Sequence, residues 1–400
     1  MRWLRQSDKM ALSVVVVGGG IGGLFAANAL VAHGLEVTVY EQAPALGEVG
    51  AGVFLTPNSV RHLNRVGLEA AVASRGALVG THSHYFRHDG VPIAPVQVMD
   101  SSGWNATFGM HRADLVELLA TALPDGIVHT GHRATGFEQS DDKARVVFAN
   151  GASADADVVI AADGIHSELR QFVAPPSRPV FHGSVAYRGV LPHRAIPHWP
   201  TDRWLMWLGK SRHFLTFPVR AGEMINYVGF VPADEEMKES WSAPGDPDVL
   251  RAEFAGWDPQ IESLLSRVQN TFRWALYDRE PLPIWTNGRL TLLGDAAHPM
   301  LPHLGQGANQ SIEDGMALAT ILAKVDRANV SPALHAYERL RRERVAAVQR
   351  GARENGMRLD SHYADLGVRD AEIRAHAEFR KKLYSHDVVP EAQALALALM

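Results

Sequence analysis

The sequence predicts an α/β fold: a parallel sheet covered by helices, interrupted by a mostly antiparallel sheet and closed by C-terminal helices. Three observations predict it. Residues 14–41, VVVVGGGIGGLFAANALVAHGLEVTVYE, read as one strand–turn–helix–strand unit. Residues 180–230 change to aromatic, alternating runs (VAYRGVL, DRWLMWLG, RHFLTFPV, MINYVGFV), as antiparallel strands do. A buried strand at 289–293, RLTLL, is followed by two long helix-like segments at 311–324 and 332–355.

In the first unit, the β-branched run 14–17 drives into Gly18, Gly20 and Gly23, spaced G-x-G-x-x-G, with Gly22 inside the turn. Gly18 permits the tight turn, Gly20 lets backbone approach a pyrophosphate, and Gly23 lets helix and strand pack. The helix over 21–32 points its N-terminal N–H groups at phosphate charge. Gly34 closes it, and the strand 36–40 ends on Glu41, placed to accept hydrogen bonds from a ribose diol, with Gln42 beside it. Such a glycine pattern also occurs in ordinary turns, but strand, helix, second strand and acidic residue all agree here. The unit binds a dinucleotide.

A loop then covers 42–58, rich in glycine over 47–52, before a helix at 59–66 stopped by Gly67. Residues 79–98 read as antiparallel strands turned at Asp89-Gly90. A helix spans 111–123; Arg112 near its start is either a solvated charge or a contact to cofactor phosphate. Strands with turns at 140–143 and 150–151 lead to the apolar strand 157–161, which belongs beside the first strand. Residues 233–245 read as a surface loop or short helix, and 248–268 as one amphipathic helical stretch. Arg339, Arg341, Arg342, Arg344 and Arg350 read as a solvated or salt-bridged helix face. The ending EAQALALALM is helix-like and either covers a partner surface or frays.

At 400 residues, two domains are expected. A net charge of −5 leaves no basic surplus for nucleic acid or an anionic membrane. No apolar run approaches the roughly 20 residues of a spanning helix. Residues 1–10 carry no apolar leader, and Met10 is an alternative start. The absence of cysteine excludes disulfides and zinc–thiolate sites and fits a cytoplasmic protein; no metal is expected.

Three separated stretches complete the pattern: GGGIGG at 18–23, ADGIHSELR at 162–170 and GDAAHPMLPHLGQGANQSIED at 294–314. In this order the chain resembles the single-component FAD-dependent aromatic hydroxylases, especially salicylate hydroxylase, 3-hydroxybenzoate 6-hydroxylase and 6-hydroxynicotinate 3-monooxygenase, over about 12–348. The resemblance implies the para-hydroxybenzoate hydroxylase fold: a Rossmann-like FAD-binding domain (10–78, 105–178, 286–360), an inserted, mostly antiparallel β-sheet substrate domain (79–104, 179–285) and a C-terminal helical tail (361–400). It implies tightly bound FAD, NADH or NADPH as a transient visitor, and O2 activated as a flavin C4a-hydroperoxide that hydroxylates a small aromatic acid. It also carries Glu41 to the adenosine ribose, Arg112 to FAD phosphate, Asp163 with Gly164 to both nucleotides, and Asp295 to ribityl hydroxyls. Gly305, Gly307, Ala308 and Asn309 would present N–H groups to the flavin's pyrimidine edge at a helix start. Relatives are often dimers, which leaves a homodimer open.

His213 is the first candidate for a base that activates the ring, since a histidine occupies the matching place in related hydroxybenzoate and hydroxynicotinate enzymes; a histidine satisfied within the sheet is the alternative. His303 and Pro302 are expected near flavin and substrate. Tyr187 and Arg188 are candidate carboxylate partners; Leu215, Phe217, Met206 and Trp207 either line the ring pocket or form core. Hydroxynicotinate enzymes carry histidine and tyrosine where this chain has Phe54 and Phe217, which favours a salicylate- or 3-hydroxybenzoate-type substrate over a hydroxypyridine. The alternatives are a 6-hydroxynicotinate-type or larger-phenol hydroxylase, a flavoprotein dehydrogenase or oxidase, and a flavin-binding protein without catalysis.

Overall fold

The computed structural model describes residues 11–47, 51–233, 243–360, 363 and 365–400. The readings of residues 1–10, the middle of the glycine-rich passage (48–50) and most of the loop at 233–245 lie outside the described residues.

Strand β1 (Ser13–Val17) enters helix α1 (Ile21–Ala32) through the glycine turn and returns in β2 (Glu36–Tyr40), parallel to β1. Then come β3 (Gly52–Leu55), α2 (Pro57–Arg65), α3 (Glu69–Arg75) and β4 (Ala77–Leu78). The Asp89-Gly90 turn folds β5 (His84–Arg87) against β6 (Pro92–Pro95). β7 (Phe108–His111) leads into α4 (Arg112–Thr121), and β8 (Val128–His129) follows. β9 (Ala134–Gln139), β10 (Ala144–Phe148) and β11 (Ser153–Ala156) make a small antiparallel sheet. The fully buried β12 (Val158–Ala161) then pairs in parallel with β1, as its unbroken apolar run requires.

Next come β13 (Val180–Pro192), β14 (Leu205–Gly209), β15 (Arg212–Val219), β16 (Met224–Pro232) and β17 (Ala243–Gly245). Helices α5 (Pro247–Glu253) and α6 (Pro259–Leu265) precede β18 (Thr271–Asp278), β19 (Thr286–Asn287) and β20 (Leu290–Leu292). The chain closes with α7 (Gly307–Leu322), α8 (Val330–Asp360), α9 (Leu366–Tyr384) and α10 (Val389–Ala398). Among the described residues, one sheet runs β19-β20-β12-β1-β2-β8 and another β17-β18-β13-β16-β15-β14-β5-β6. None of the described helices is long and apolar enough to cross a membrane.

Four expectations change. The stretch 248–268 splits into two helices because Asp258 caps α6, accepting from the Gln260 N–H at 3.0 Å, and Pro259 starts a new turn. Helix α8 runs on past residue 355 to Asp360. The apolar ending packs as α10 on α7 and α8 of its own chain, burying Ala392 and Ala396 while Leu397 stays exposed.

On the arginine-rich face the salt-bridged alternative holds for Arg341, Arg342 and Arg344, and the largest change is that Arg341 is fully buried. Its Nη1 donates to Glu313 Oε2 at 2.5 Å and its Nε to Asp314 Oδ1 at 2.7 Å, both carboxylates also buried. Arg344 donates to Glu313, and His298 Nε2 lies 2.6 Å from Asp314. Burial works to raise both carboxyls. Arg341 and Arg344 outweigh it at Glu313, and His298 and Arg341 outweigh it at Asp314, holding both below the ordinary carboxylate range.

A folded-state pKa below the unfolded one means that the unfolded chain binds more protons. The stability contributed is therefore complete above about pH 5 and is lost as the pH falls toward the folded values. Arg341→Met should lower the unfolding free energy by about 3 kcal/mol at neutral pH, since it removes the cation that two buried carboxylates share. Urea unfolding checks this; a change under about 0.5 kcal/mol would contradict the assignment, being the scale of a surface substitution.

Candidate active site

At the glycine turn, Gly18 has φ +117°, and a Cβ there would sit 2.2 Å from the Ala162 carbonyl oxygen. A Cβ on Gly23 would sit 2.1 Å from the Gly18 oxygen, so helix and strand meet there at backbone contact. Gly20 has open space where a side chain would stand, and the start of α1 carries neither a side-chain cap nor an acidic residue. Glu41 accepts from the Gly19 N–H at 2.6 Å and the Ala43 N–H at 2.8 Å; Gln42 is exposed.

The second motif closes on the third through Arg170. Its buried guanidinium donates to the carbonyls of Ala296 (2.7 Å), Asp295 (3.0 Å) and Ile165 (3.0 Å). Asp163 does not line the cavity and accepts from the Leu169 N–H at 3.1 Å; burial raises its carboxyl above the usual range. Gly305, at φ +65°, precedes α7, whose first turn holds Gly307, Ala308 and Asn309. The Asn309 side chain faces inward, bonding the Thr56 N–H, the Ser59 hydroxyl and the carbonyls of Phe54 and Gly305, so it clamps β3 to α7.

These loops and the long sheet enclose one cavity of about 330 Å³. Gly20, Gly22, Arg112, Gly164, Asp295, Gly307 and Ala308 line one part, with Pro302, His303 and Gly305 at the join. Strand alternation sets the other part: His213, Leu215 and Phe217 of β15, Met206 of β14 and Arg188 of β13 face in. Tyr187 and Trp207 therefore face out. Tyr187 sits in the core beneath α5 and α6, and the Trp207 indole donates to Asp258 Oδ2 at 2.8 Å. Neither is a pocket residue.

His213 is fully buried, and its Nδ1 lies 2.7 Å from Asp360 Oδ1 at the end of α8. Burial works against the Asp360 charge, but the neighbouring His213 outweighs it and keeps the carboxyl low. A carboxylate only accepts, so Nδ1 carries a proton, and in the neutral ring Nε2 presents a lone pair. That Nε2 has no hydrogen-bond partner among the described residues. The ring stacks on Phe230 at 4.1 Å and lies 5.5 Å from the His303 ring. Burial, then His213, pushes His303 down to about 3, so it is neutral at working pH. Asn355 donates to the His303 carbonyl at 2.8 Å, and a Cβ on Gly356 would come within 2.5 Å of its ring. Asn226 accepts from the Gly52 N–H at 2.7 Å while its Nδ2 has no partner among the described residues.

Comparison with known proteins identifies this architecture. Residues 11–352 match the family model described as an FAD binding domain. A 3-amino-4-hydroxybenzoate 2-monooxygenase of Streptomyces platensis is 39% identical, over 86% of this chain and 87% of its own length. A salicylate hydroxylase of Pseudomonas putida is 38% identical over 96% and 94%. A 6-hydroxynicotinate 3-monooxygenase of Pseudomonas fluorescens is 36% identical over 86% and 90%. The chain belongs to the FAD-dependent aromatic hydroxylase family. It is an FAD-dependent aromatic monooxygenase. Among solved structures, a salicylate hydroxylase substrate complex superposes with a TM-score of 0.83 at 29% identity, covering 97% of this chain and 98% of that one. Klebsiella pneumoniae HpxO with FAD and uric acid gives 0.80 at 26% identity, covering 98% of each.

The cavity of this hydroxylase fits FAD. Gly20 leaves open space at an uncapped helix start, and the nearest atom to a Cβ on Gly307 is Asp295 Oδ1 at 3.9 Å. Sequence reasoning missed Asp360, Asn226, Trp204, Trp274, Phe230 and Arg380. Strand alternation offered a signal for Asn226, two residues from Val228 on one face; nothing in sequence tied Asp360 to His213, 147 positions away. Gly356→Ala should displace the His303 ring and lower kcat about 100-fold, the scale for a displacement near 1 Å. Steady-state kinetics with FAD content measured in parallel checks this; unchanged kcat would show that the ring position is immaterial.

Proposed function

We propose that this monooxygenase uses NAD(P)H and O2 to hydroxylate a small aromatic acid of the salicylate or 3-hydroxybenzoate type. One observation carries the reading: the buried His213 imidazole, held by Asp360, turns an unpaired Nε2 into a cavity with an apolar, aromatic wall. In that position Nε2 takes the proton of a substrate phenol, which makes the ring electron-rich, and Asp360 holds the imidazolium that results. The neutral His303 opposite accepts or donates a hydrogen bond without adding charge.

The glycine turn and the start of α1 are proposed to hold the pyrophosphate with Arg112, Glu41 the ribose, and Asp295 the ribityl chain. The N–H groups of Gly307 and Ala308, at the start of α7, favour negative charge on the flavin ring. FAD, when bound, supplies the redox chemistry: it accepts a hydride from the nicotinamide nucleotide and activates dioxygen. Leu215, Phe217, Met206 and Phe54 exclude water from the ring's side. Phe54 and Phe217 meet edge to face at 5.7 Å. Phe54 and Phe217 put no polar group on that wall, although Asn226 stands beside Phe217, and the two rings suit a benzene ring better than a hydroxypyridine.

The test is NADH and NADPH oxidation by FAD-loaded enzyme across an acid panel, with products identified by mass spectrometry. The panel holds salicylate, 3-hydroxybenzoate, 3-amino-4-hydroxybenzoate and 6-hydroxynicotinate. Salicylate or 3-hydroxybenzoate should stimulate oxidation and appear as a dihydroxylated product. Stimulation by 6-hydroxynicotinate alone would overturn the preference for a benzene ring. His213→Asn should lower kcat about 100-fold or more with FAD retained, and Asp360→Asn should lower it less. Full activity in His213→Asn would remove the base from the mechanism.

A further inference from the structure

We infer that Arg380, on the C-terminal helix α9, binds the carboxylate of the aromatic acid. This rests on the reading above that the substrate is an acid, and it assigns the anion's end of the pocket. Arg380 is only 5% exposed and lines the cavity, although it lies outside every motif in the chain.

Its environment is unusual for a buried cation. Among the described residues no carboxylate lies within ion-pair distance of its guanidinium. Its Nη1 donates to the Tyr384 hydroxyl at 3.3 Å, the Tyr85 hydroxyl lies beside it, and its Nε has no hydrogen-bond partner among the described residues. Two other buried helix arginines have carboxylates: Arg341 has Glu313 and Asp314, and Arg369 has Asp370. A guanidinium removed from water without an anion is costly, and tyrosine hydroxyls recover only part of that cost. An anion entering the cavity meets donors in the planar, forked arrangement that matches a carboxylate.

The sheet register places this charge at one end of the pocket. Arg188 of β13 stands opposite Val228 of β16, Val228 opposite Leu215 of β15, Leu215 opposite Met206 of β14, and Met206 opposite Tyr85 of β5. Four strand steps separate Arg188 from Tyr85, about 19 Å at the usual spacing. A single-ring acid cannot touch both. Arg188 is engaged at its own end, with its guanidinium over the Trp274 ring at 5.5 Å. His213 lies on β15, the middle strand of the five. An acid anchored at Arg380 therefore lays its ring over Leu215 and Met206 and directs a ring hydroxyl toward His213. The C-terminal helix becomes part of the active site.

Flavin absorbance changes report binding when the FAD-loaded enzyme is titrated with salicylate and 3-hydroxybenzoate, and with their neutral twins salicylamide and 3-hydroxybenzamide. In Arg380→Gln the acids should bind about 30-fold or more weakly, the scale for removing one partner of a buried charge pair, while the amides change less than about 3-fold. Arg380→Lys keeps the charge and should retain a preference for acid over amide; it is the variant to read if the glutamine form does not fold. Equal losses for acid and amide would make Arg380 a structural residue and overturn the assignment. So would unchanged acid binding in Arg380→Gln, or loss of acid preference in Arg188→Gln instead. If the unaltered enzyme binds neither acid, the acid-substrate reading falls and takes this assignment with it. If it binds acids and only Arg380→Gln fails to discriminate against them, the reading stands and Arg380 does not.

Discussion

The site depends on a polar knot inside the core. Glu313 and Asp314 of α7 share the buried Arg341 of α8, with Arg344 and His298 completing the set. Asn58 of α2 joins it through Glu313 at 2.7 Å. Taking so many charges out of water is expensive, and only dense, well-directed pairing offsets it. What it gives in return is position. The start of α7 carries Gly307 and Ala308 on the cavity, and the far end of α8 carries Asn355, Gly356 and Asp360 beneath His303 and His213. Fixing the two helices fixes the flavin-side backbone relative to the histidine pair.

The two histidines occupy one buried space but differ in their partners. His213 has a carboxylate at Nδ1, so a proton arriving at Nε2 is balanced by a nearby negative charge. His303 has burial and a neighbouring imidazole acting on it, and neither favours a charge. One ring can move a proton while the other stays neutral. The difference lies in their surroundings, since the residues are chemically identical.

The parts of the site built on backbone were legible in the sequence. The G-x-G-x-x-G turn forces a backbone crossing at Gly18 and Gly23, and Asp-Gly and Gly-rich signals mark turns, whereas the Asp258-Pro259 helix start was missed inside 248–268. Which side of a doubly covered strand faces the cavity was not legible. In VAYRG both Tyr187 and Arg188 suit a buried position, and only the placement of α5 and α6 turns Tyr187 away. Arg341 looked no different from the exposed Arg339 and Arg350 because its partners lie on another helix. Asp360 and Arg380 escaped for a related reason: one reaches His213 and the other the cavity from a helix far along the chain, and no local pattern marks a distant contact. Asn309 belonged to a recognisable motif, yet its side chain is spent on clamping β3.

The most direct test of the account is the origin of oxygen in the product. Turnover of the FAD-loaded enzyme with NADH, an accepted aromatic acid and 18O2 should place one labelled oxygen atom in each product molecule, with none from labelled water. Product formed without 18O would contradict hydroxylation and assign the protein to dehydrogenase or oxidase chemistry.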